Sequence, residues 1–393
     1  MLREDLARTI DEAVDHDRAD LLRLAQSIHA NPELRFEEVK AAGWIEELVT
    51  SRQHRVERGV GGMKTALRAR AGKPGGPRVA ILAEYDALPE IGHACGHNLI
   101  AMGGVGAFLA ASRVVEAVGG EVILLGTPAE EGGGGKIRLI ESGAFDGLDA
   151  AMMFHPFDRD ILAHPALASV WLTFAFKGRP AHAAAAPHEG SSALTACMDT
   201  FRLIDGQRVH FKDGVRVHGY ITNGGQAVNI IPEHAACEIS VRARNAGELT
   251  RVRAIVERCA RAASMASDVQ VSISAREGYK DMVNNMPLAR SFGVHMGALG
   301  RSPRETDSRI GAGSTDMGDV SHVVPSIHPY LGIVDEGVAL CHTHPFTAAS
   351  ASERGFDAAI VAAKALARTA IEVLADAELR SSLRAEWDAR ERG

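Results

Sequence analysis

Residues 90–98 read Glu90-Ile-Gly-His-Ala-Cys-Gly-His-Asn98, which sets two imidazoles and a thiol, those of His93, Cys95 and His97, within five positions. The run before it, Arg78-Val-Ala-Ile-Leu-Ala-Glu-Tyr-Asp-Ala-Leu-Pro89, reads as a buried strand closed by a proline. The run after it, Leu99 to Val115, is rich in Ala, Gly, Met and Val and reads as a buried helix. The cluster therefore falls where a strand ends and a helix begins. In open α/β sheets, ligand sites gather beyond the carboxyl ends of strands. Sulfur beside imidazole suits Zn²⁺ or a similar transition ion. A loop that merely holds two histidines is the competing explanation, and the rest of the chain has to decide between them.

Working outward, residues 1–29 predict a helix, with Leu2, Leu6, Ile10, Val14, Leu21 and Ile28 at helical spacing, broken by Asn31-Pro32. A second helix is expected over about 37–49 and a strand over 64–70. Apolar strands follow at 79–84, 121–126 and 150–154, separated by helices at 99–115 and 136–142. Strand, helix, strand, helix, strand describes a crossover-connected, mostly parallel sheet flanked by helices. The pattern changes near residue 166. Ala168–Phe176 alternates like a half-exposed antiparallel strand, with strands at 215–222, 234–242 and 269–275 and helices at 191–204 and 249–263. This predicts an α+β domain, residues 166–279, inserted into an α/β domain made of 1–165 and 280–393. The first domain resumes with a helix at 287–298, a strand near 327–333 and a helix over 351–374. The tail from Asp376 is highly charged and is expected to be a solvated helix.

Bulk properties exclude several classes. The chain has 393 residues, a length that calls for about two domains; 46% hydrophobic and 24% charged residues suit a globular protein. A net charge of −7 argues against nucleic acid as a partner. No apolar run is long enough to cross a membrane, and the acidic N-terminus does not resemble a signal peptide. Five scattered cysteines fit reduced thiols in the cytoplasm better than a disulfide framework.

Further polar groups stand at strand ends: Glu130-Glu131 before four glycines, His155-Pro156 after AAMMF, and Cys341-His-Thr-His-Pro345 near the C-terminus. Ends of parallel strands converge in space, so these groups are expected to meet. A two-metal hydrolase needs such an inventory: N, O and S ligands for each ion, a shared ligand holding them roughly 3.5–4 Å apart around a bridging hydroxide, and a carboxylate left free as general base. Cys95 is able to bridge, and the Glu130-Glu131 pair offers one ligand and one base. The GGGGK run is not a phosphate loop, because Ile137 stands where Ser or Thr is required.

The motifs NPELRFEE (31–38), YDALPEIGHACGHN (85–98), GTPAEEGGGGK (126–136), FHP (154–156), GRPAHAAAAPHEG (178–190), AVNIIPEHA (227–235), GSTDMGD (313–319) and HTHPF (342–346) span nearly the whole chain. Together they resemble the M20 family of metallopeptidases and amidohydrolases. The resemblance is to the aminoacylase-like branch related to aminobenzoyl-glutamate hydrolase and the M20 domain-containing dipeptidase. It implies a zinc-peptidase type catalytic domain and a ferredoxin-like lid that also forms a homodimer. It implies two divalent ions, Zn or Mn with Co or Ni as alternatives. Cys95 corresponds to the bridging ligand, His97 and His155 to ligands of one ion, and Glu131 and His342 to ligands of the other. Glu130 corresponds to the general base, Asp86 to the aspartate that orients a ligand, and His182 to the lid histidine that stabilises an oxyanion. Asn229 is a candidate lid contact to substrate.

Other branches carry a histidine ligand where this chain has Glu84, which favours the Cys-His version. His342 and His344 compete for the last ligand; the family spacing to Phe346 favours His342. His93 is expected beside the ligands rather than among them. His182 has a second reading as a cap for the loop before Pro187, and Asp316 and Asp319 read equally as helix-capping acids or substrate contacts. The expected activity is hydrolysis of an amide next to a free carboxylate, in an N-acyl amino acid, an aryl-amide conjugate or a dipeptide. The alternatives are a non-catalytic metal- or partner-binding protein of the same fold, and a hydrolase with Cys95 as nucleophile.

Overall fold

The computed structural model describes residues 2–309 and 312–390; residues 1 and 391–393, at the ends of the expected first and last helices, lie outside the described residues. Two units form, one from Met1–Pro165, Met282–Ala312 and Asp316–Glu391, the other mainly from Ala166–Asp281.

In the first unit, the chain runs α1 (Glu4–Ala30), α2 (Val39–Ser51), β1 (Val56–Arg58), β2 (Leu67–Gly72), β3 (Arg78–Ala83), α3 (His97–Ser112), α4 (Val115–Val118), β4 (Glu121–Gly126), α5 (Gly135–Glu141), β5 (Ala150–Met152) and β6 (His155–Phe157). The second unit contains β7 (Ala168–Lys177), α6 (Ala193–Gln207), β8 (Arg216–Asn223), β9 (His234–Ala243), α7 (Ala246–Ala266) and β10 (Gln270–Glu277). The first unit then resumes with α8 (Met286–Ala298), α9 (Met317–Ser321), β11 (Ser326–Ile327), β12 (Tyr330–Gly332), α10 (His344–Ala349), α11 (Glu353–Ala375) and α12 (Ala377–Ala389).

The main sheet has the order β1-β2-β4-β3-β5-β11. Strands β4, β3, β5 and β11 are parallel, with β11 at one edge, whereas β2 runs antiparallel to β4 and carries β1 as a hairpin at the other edge. Every residue of β4 is buried, and all but the first of β3, which is why both read as unbroken apolar runs. Helix α3 is buried from His97 to Ala111 and packs against α1, α11 and β3. A helix that is apolar all round has to sit inside a core, and this one does.

Two expectations about this unit need correction. The strand expected at 150–154 stops at Met152, and the one expected at 327–333 breaks after Ile327. Both resume as β6 and β12, a separate parallel pair in which His155 faces Tyr330. The paired break turns His155 off the end of the main sheet. The charged tail is also not simply solvated. Leu383 in α12 is buried, Asn285 Nδ2 donates to Leu383 O at 2.9 Å, and Trp387 Nε1 donates to Ser321 O at 3.0 Å.

The second unit follows the chain order β-α-β-β-α-β with spatial order β10-β7-β9-β8, all antiparallel, a ferredoxin-like arrangement. Strand β7 buries Val170, Leu172, Phe174 and Phe176, which pack with Cys197, Cys237, Ile239 and Val256 into a core of its own. Helices α6 and α7 lie against that face.

Candidate metal centre

The carboxyl ends of three parallel strands supply most of the centre. The chain leaving β3 carries Glu84 and Asp86, the loop beyond it carries Cys95, and α3 begins at His97. Gly96 precedes that helix with a φ of 72°, and a Cβ there would stand 2.9 Å from the Pro156 ring. Glycine thus lets the chain turn sharply into α3 while lying against the His155-Pro156 corner. The loop after β4 brings Glu130 and Glu131, and the corner beyond β5 brings His155. His342 arrives from the segment before α10, where its backbone N–H donates to Ala94 O at 3.0 Å.

Three sets of ligand atoms lie within 4.8 Å of one another: Cys95 with His97 and His155, Cys95 with Glu131 and His342, and His97 with Glu130 and Glu131. Cys95 is common to the first two sets. Behind them, Asp86 is fully enclosed and bonded on both sides. Its Oδ1 lies 3.0 Å from His97 Nδ1, and its Oδ2 accepts the Glu131 backbone N–H at 2.9 Å. That first bond points His97 Nε2 into the centre. His155 Nδ1 lies 2.7 Å from the Pro156 carbonyl, which likewise leaves its Nε2 free.

The donor set fits divalent ions. Among the described residues, the buried His97 Nε2, Glu131 Oε1 and Glu84 Oε2 make no hydrogen bond; His97 Nε2 and Glu84 Oε2 only face each other at 3.5 Å, and Glu131 Oε1 faces His342 Nε2 at 3.5 Å, an arrangement that is costly unless a cation is expected there. Negative charge is in excess. Burial and the neighbouring Glu131, Glu84 and Asp316 push the Glu130 carboxyl well above the usual range. Burial opposes charge on His97, but Asp86, Glu84 and Glu131 raise the imidazole well above its ordinary value. Thiolate, imidazole and carboxylate donors together suit Zn²⁺ and its first-row neighbours.

The remaining candidates lie elsewhere. His93 is buried, with its ring 6.1 Å from that of His29, outside the three sets. His344 is exposed at the start of α10, and His342 is the member of the pair that stands with Cys95 and Glu131. In the second unit, His182 is exposed, and its Nδ1 accepts the backbone N–H groups of Ala184 and Ala185 at 3.2 and 3.1 Å. It does cap its loop, and those two bonds place the ring proton on Nε2. Asn229 is exposed, and its carbonyl accepts the Ala183 N–H at 3.0 Å.

A buried triad escaped the sequence reading. Lys136 is fully enclosed, with Nζ 2.5 Å from Glu84 Oε1 and 2.6 Å from Asp316 Oδ1, and its backbone N–H donates to Asp316 Oδ2 at 3.0 Å. Asp316 stands at the start of α9 but makes no side-chain cap there; its carboxylate is committed to Lys136. Glu84 Oε2 is 3.5 Å from His97 Nε2, so the triad reaches the metal centre. A charged residue ending the apolar run of β3 was the available signal, since a buried carboxylate demands a partner.

Comparison with known proteins identifies the family. The profile of peptidase family M20/M25/M40 matches residues 80–370. The chain is 38% identical to a Xaa-Arg dipeptidase of Mus musculus, over 98% of this chain and 92% of the relative. It is 35% identical to a p-aminobenzoyl-glutamate hydrolase polypeptide of Escherichia coli (strain K12), over 67% of this chain and 58% of the relative. A Bacillus subtilis structure described as a dinuclear metal binding peptidase from the M20 family shares the fold, with a TM-score of 0.73 at 20% identity, covering 92% of this chain and 99% of that one. On this match of profile, relatives and fold, the chain belongs to peptidase family M20/M25/M40 and is a metal-dependent hydrolase of amide bonds.

Proposed function

We propose that the protein is a binuclear amidohydrolase that cleaves the amide of a dipeptide, an N-acyl amino acid or an aryl-amide conjugate. The observation that carries this reading is the sharing of Cys95 between two ligand sets, with Glu130 close to His97 and Glu131. Cys95, His97 and His155 would hold one ion, and Cys95, Glu131 and His342 the other. When bound, the ions supply Lewis acidity to the scissile carbonyl and lower the pKa of the attacking water. Glu130 takes the proton of that water and passes it to the leaving amine. Asp86 keeps His97 and the Glu131 backbone in register for this work. His182, with its proton on Nε2, is suited to donate to a developing oxyanion. Asn229, in the same unit, is the proposed contact to substrate.

Zn²⁺ or Mn²⁺ is the proposed metal, with Co²⁺ and Ni²⁺ as alternatives. A homodimer through residues 166–279 is supported by the unpaired edge of β8, where Tyr220 and Ile221 are exposed. No helix among the described residues is long and apolar enough to cross a membrane, and the scattered free cysteines support a cytoplasmic setting.

The similarity to Xaa-Arg dipeptidases over almost the whole chain favours dipeptides within the proposed range. The test is a panel of Xaa-Arg and other dipeptides, N-acyl amino acids and aminobenzoyl-glutamate, assayed with metal-free and metal-reconstituted protein. Turnover that needs metal and is lost in Glu130→Gln supports the proposal. Turnover by metal-free protein would favour a cysteine nucleophile, and an inert reconstituted protein a binding role.

A further inference from the structure

The motif Glu33–Glu38 takes no part in the chemistry above, yet it is bonded to both loops that carry it. Glu38 is completely buried at the start of α2. Its Oε1 accepts the backbone N–H groups of Phe36 at 2.7 Å and Ala129 at 2.9 Å, and its Oε2 accepts Thr65 Oγ1 at 2.9 Å. Two backbone N–H groups, which can only donate, converge on Oε1, which therefore has to accept. Ala129 immediately precedes Glu130-Glu131 and has a φ of 62°, the left-handed region that side chains other than glycine's enter only at a cost. Its carbonyl accepts the Gly133 N–H at 3.0 Å, and a Cβ at Gly133 would stand 2.5 Å from Ala129 Cβ. The turn is thus closed and tightly packed, and Glu38 holds its buried N–H.

The same segment grips the other loop. Glu33 O accepts the Ala87 N–H at 2.8 Å, next to Asp86, while the Glu33 carboxylate accepts the N–H groups of Lys40 and Ala41 at the start of α2. Tyr85 Oη donates to Thr65 O at 2.6 Å, which joins the two grips. Phe36 is also left-handed, with a φ of 65°, and Arg138 stacks 4.4 Å over its ring.

We propose that Glu38 is a positioning residue that fixes the strained turn at Ala129, and that segment 33–38 thereby holds the Asp86 loop and the Glu130-Glu131 loop in register. The inference rests on Glu131 as a ligand and Glu130 as the base. Glu38 touches neither the ions' ligands nor a reacting atom; it acts through the backbone between them. Because the two carboxylates serve different steps, a shift of this turn disturbs metal affinity and turnover together. A displacement of about 1 Å in such a group costs about 100-fold in rate.

The test compares Glu38→Ala, Glu38→Asp and Glu38→Gln by circular dichroism, by titration of metal-free protein with Zn²⁺ and Mn²⁺, and by kcat and KM. Glu38→Ala removes the acceptor. Glu38→Asp keeps the charge but shortens the reach, and decides the matter if the alanine variant does not fold. Expected for both are a loss of about 10-fold or more in affinity for one of the two ions and of about 100-fold in kcat, with KM within about threefold. Glu38→Gln keeps an oxygen for the two N–H groups and should stay within about fivefold of wild type, because the Thr65 hydroxyl rotates to accept. Folded Glu38→Asp with both ions at wild-type affinity and kcat within about threefold overturns the proposal. So does Glu38→Gln as impaired as Glu38→Ala, since the effect would then lie in charge rather than geometry. If Glu130→Gln retains turnover, the assignment of the base fails, whereas the metal titrations of the Glu38 variants still read the turn.

Discussion

Asp86→Asn probes the support behind the metal centre without changing its shape. Both partners of the Asp86 carboxylate are donors: His97 Nδ1 at 3.0 Å from Oδ1 and the Glu131 N–H at 2.9 Å from Oδ2. Burial raises the pKa of this carboxyl, but the charge and hydrogen bond of His97 outweigh it and hold Asp86 below the usual range. An asparagine offers one oxygen and one NH₂, so whichever way it is turned, one donor faces another donor. One charge-assisted bond is lost and a buried donor is orphaned, each worth about 1.5–3 kcal/mol. Part of that energy relaxes away. What remains should appear as weaker ligation, because His97 and Glu131 each belong to one of the two ligand sets that share Cys95 and both lose orientation. Loss of such outer support weakens metal affinity by about 10–100-fold, equivalent to about 1.4–2.7 kcal/mol. The assay is competition between metal-free protein and a chromophoric chelator, run on wild type and variant, with a thermal melt to confirm folding. Dissociation constants within about twofold of wild type for both ions, in a folded variant, would refute the argument that this carboxylate orients the ligands.

The remaining predictions concern turnover, stability and metal removal. Glu130→Gln should keep both ions, since Glu130 is not needed to complete either set containing Cys95, and should lower kcat by about 100–10,000-fold, measured on any amide the wild type cleaves. Chelation should abolish turnover and readdition of Zn²⁺ or Mn²⁺ should restore it; activity that survives exhaustive chelation would contradict the metal centre. Lys136→Met leaves Glu84 and Asp316 buried without their cation and should cost about 3–5 kcal/mol in urea unfolding, so a loss under about 1 kcal/mol would show that the triad is not a structural anchor. Glu372 in α11 is buried, which disfavours its charge, but His295 at 2.8 Å and Ser291 at 2.7 Å outweigh that effect and hold its carboxyl down, from 4.5 to about 2. A lowered carboxyl stabilises the fold above its unfolded pKa. Glu372→Gln should therefore be about 2–3 kcal/mol less stable than wild type at pH 7, and the difference should shrink as pH falls from about 4.5 towards 2, as followed by denaturant melts across that range.

The fold was largely legible because burial leaves a mark on every residue of an element. The apolar runs of β3 and β4 and the uniformly apolar α3 announce a parallel sheet with a helix inside the core. The change to alternation at β7 announces the second unit. Short-range breaks were not legible: nothing in AAMMF says that β5 ends at Met152, because the step into β6 depends on its partner β12, which makes the same step more than 170 residues later. Residues with unusual chemistry at strand ends were legible as well: Cys95, His97, Glu130, Glu131 and His155 fall within the three donor sets, joined by His342 from the loop before α10.

What the chain alone determined is which donor atoms gather and at which end of the sheet, since strand direction follows from crossover connections and strand ends converge. What only the tertiary structure decided is how those donors are held. Asp316 read as a possible helix cap and is instead the partner of Lys136; NPELRFEE read as a motif without a role and instead binds the turn before Glu130. The physical reason is range. Periodicity and spacing report interactions within a few residues, whereas a buried carboxylate is satisfied by whichever donors folding brings to it, here 180 residues away for Asp316 and 91 for Glu38.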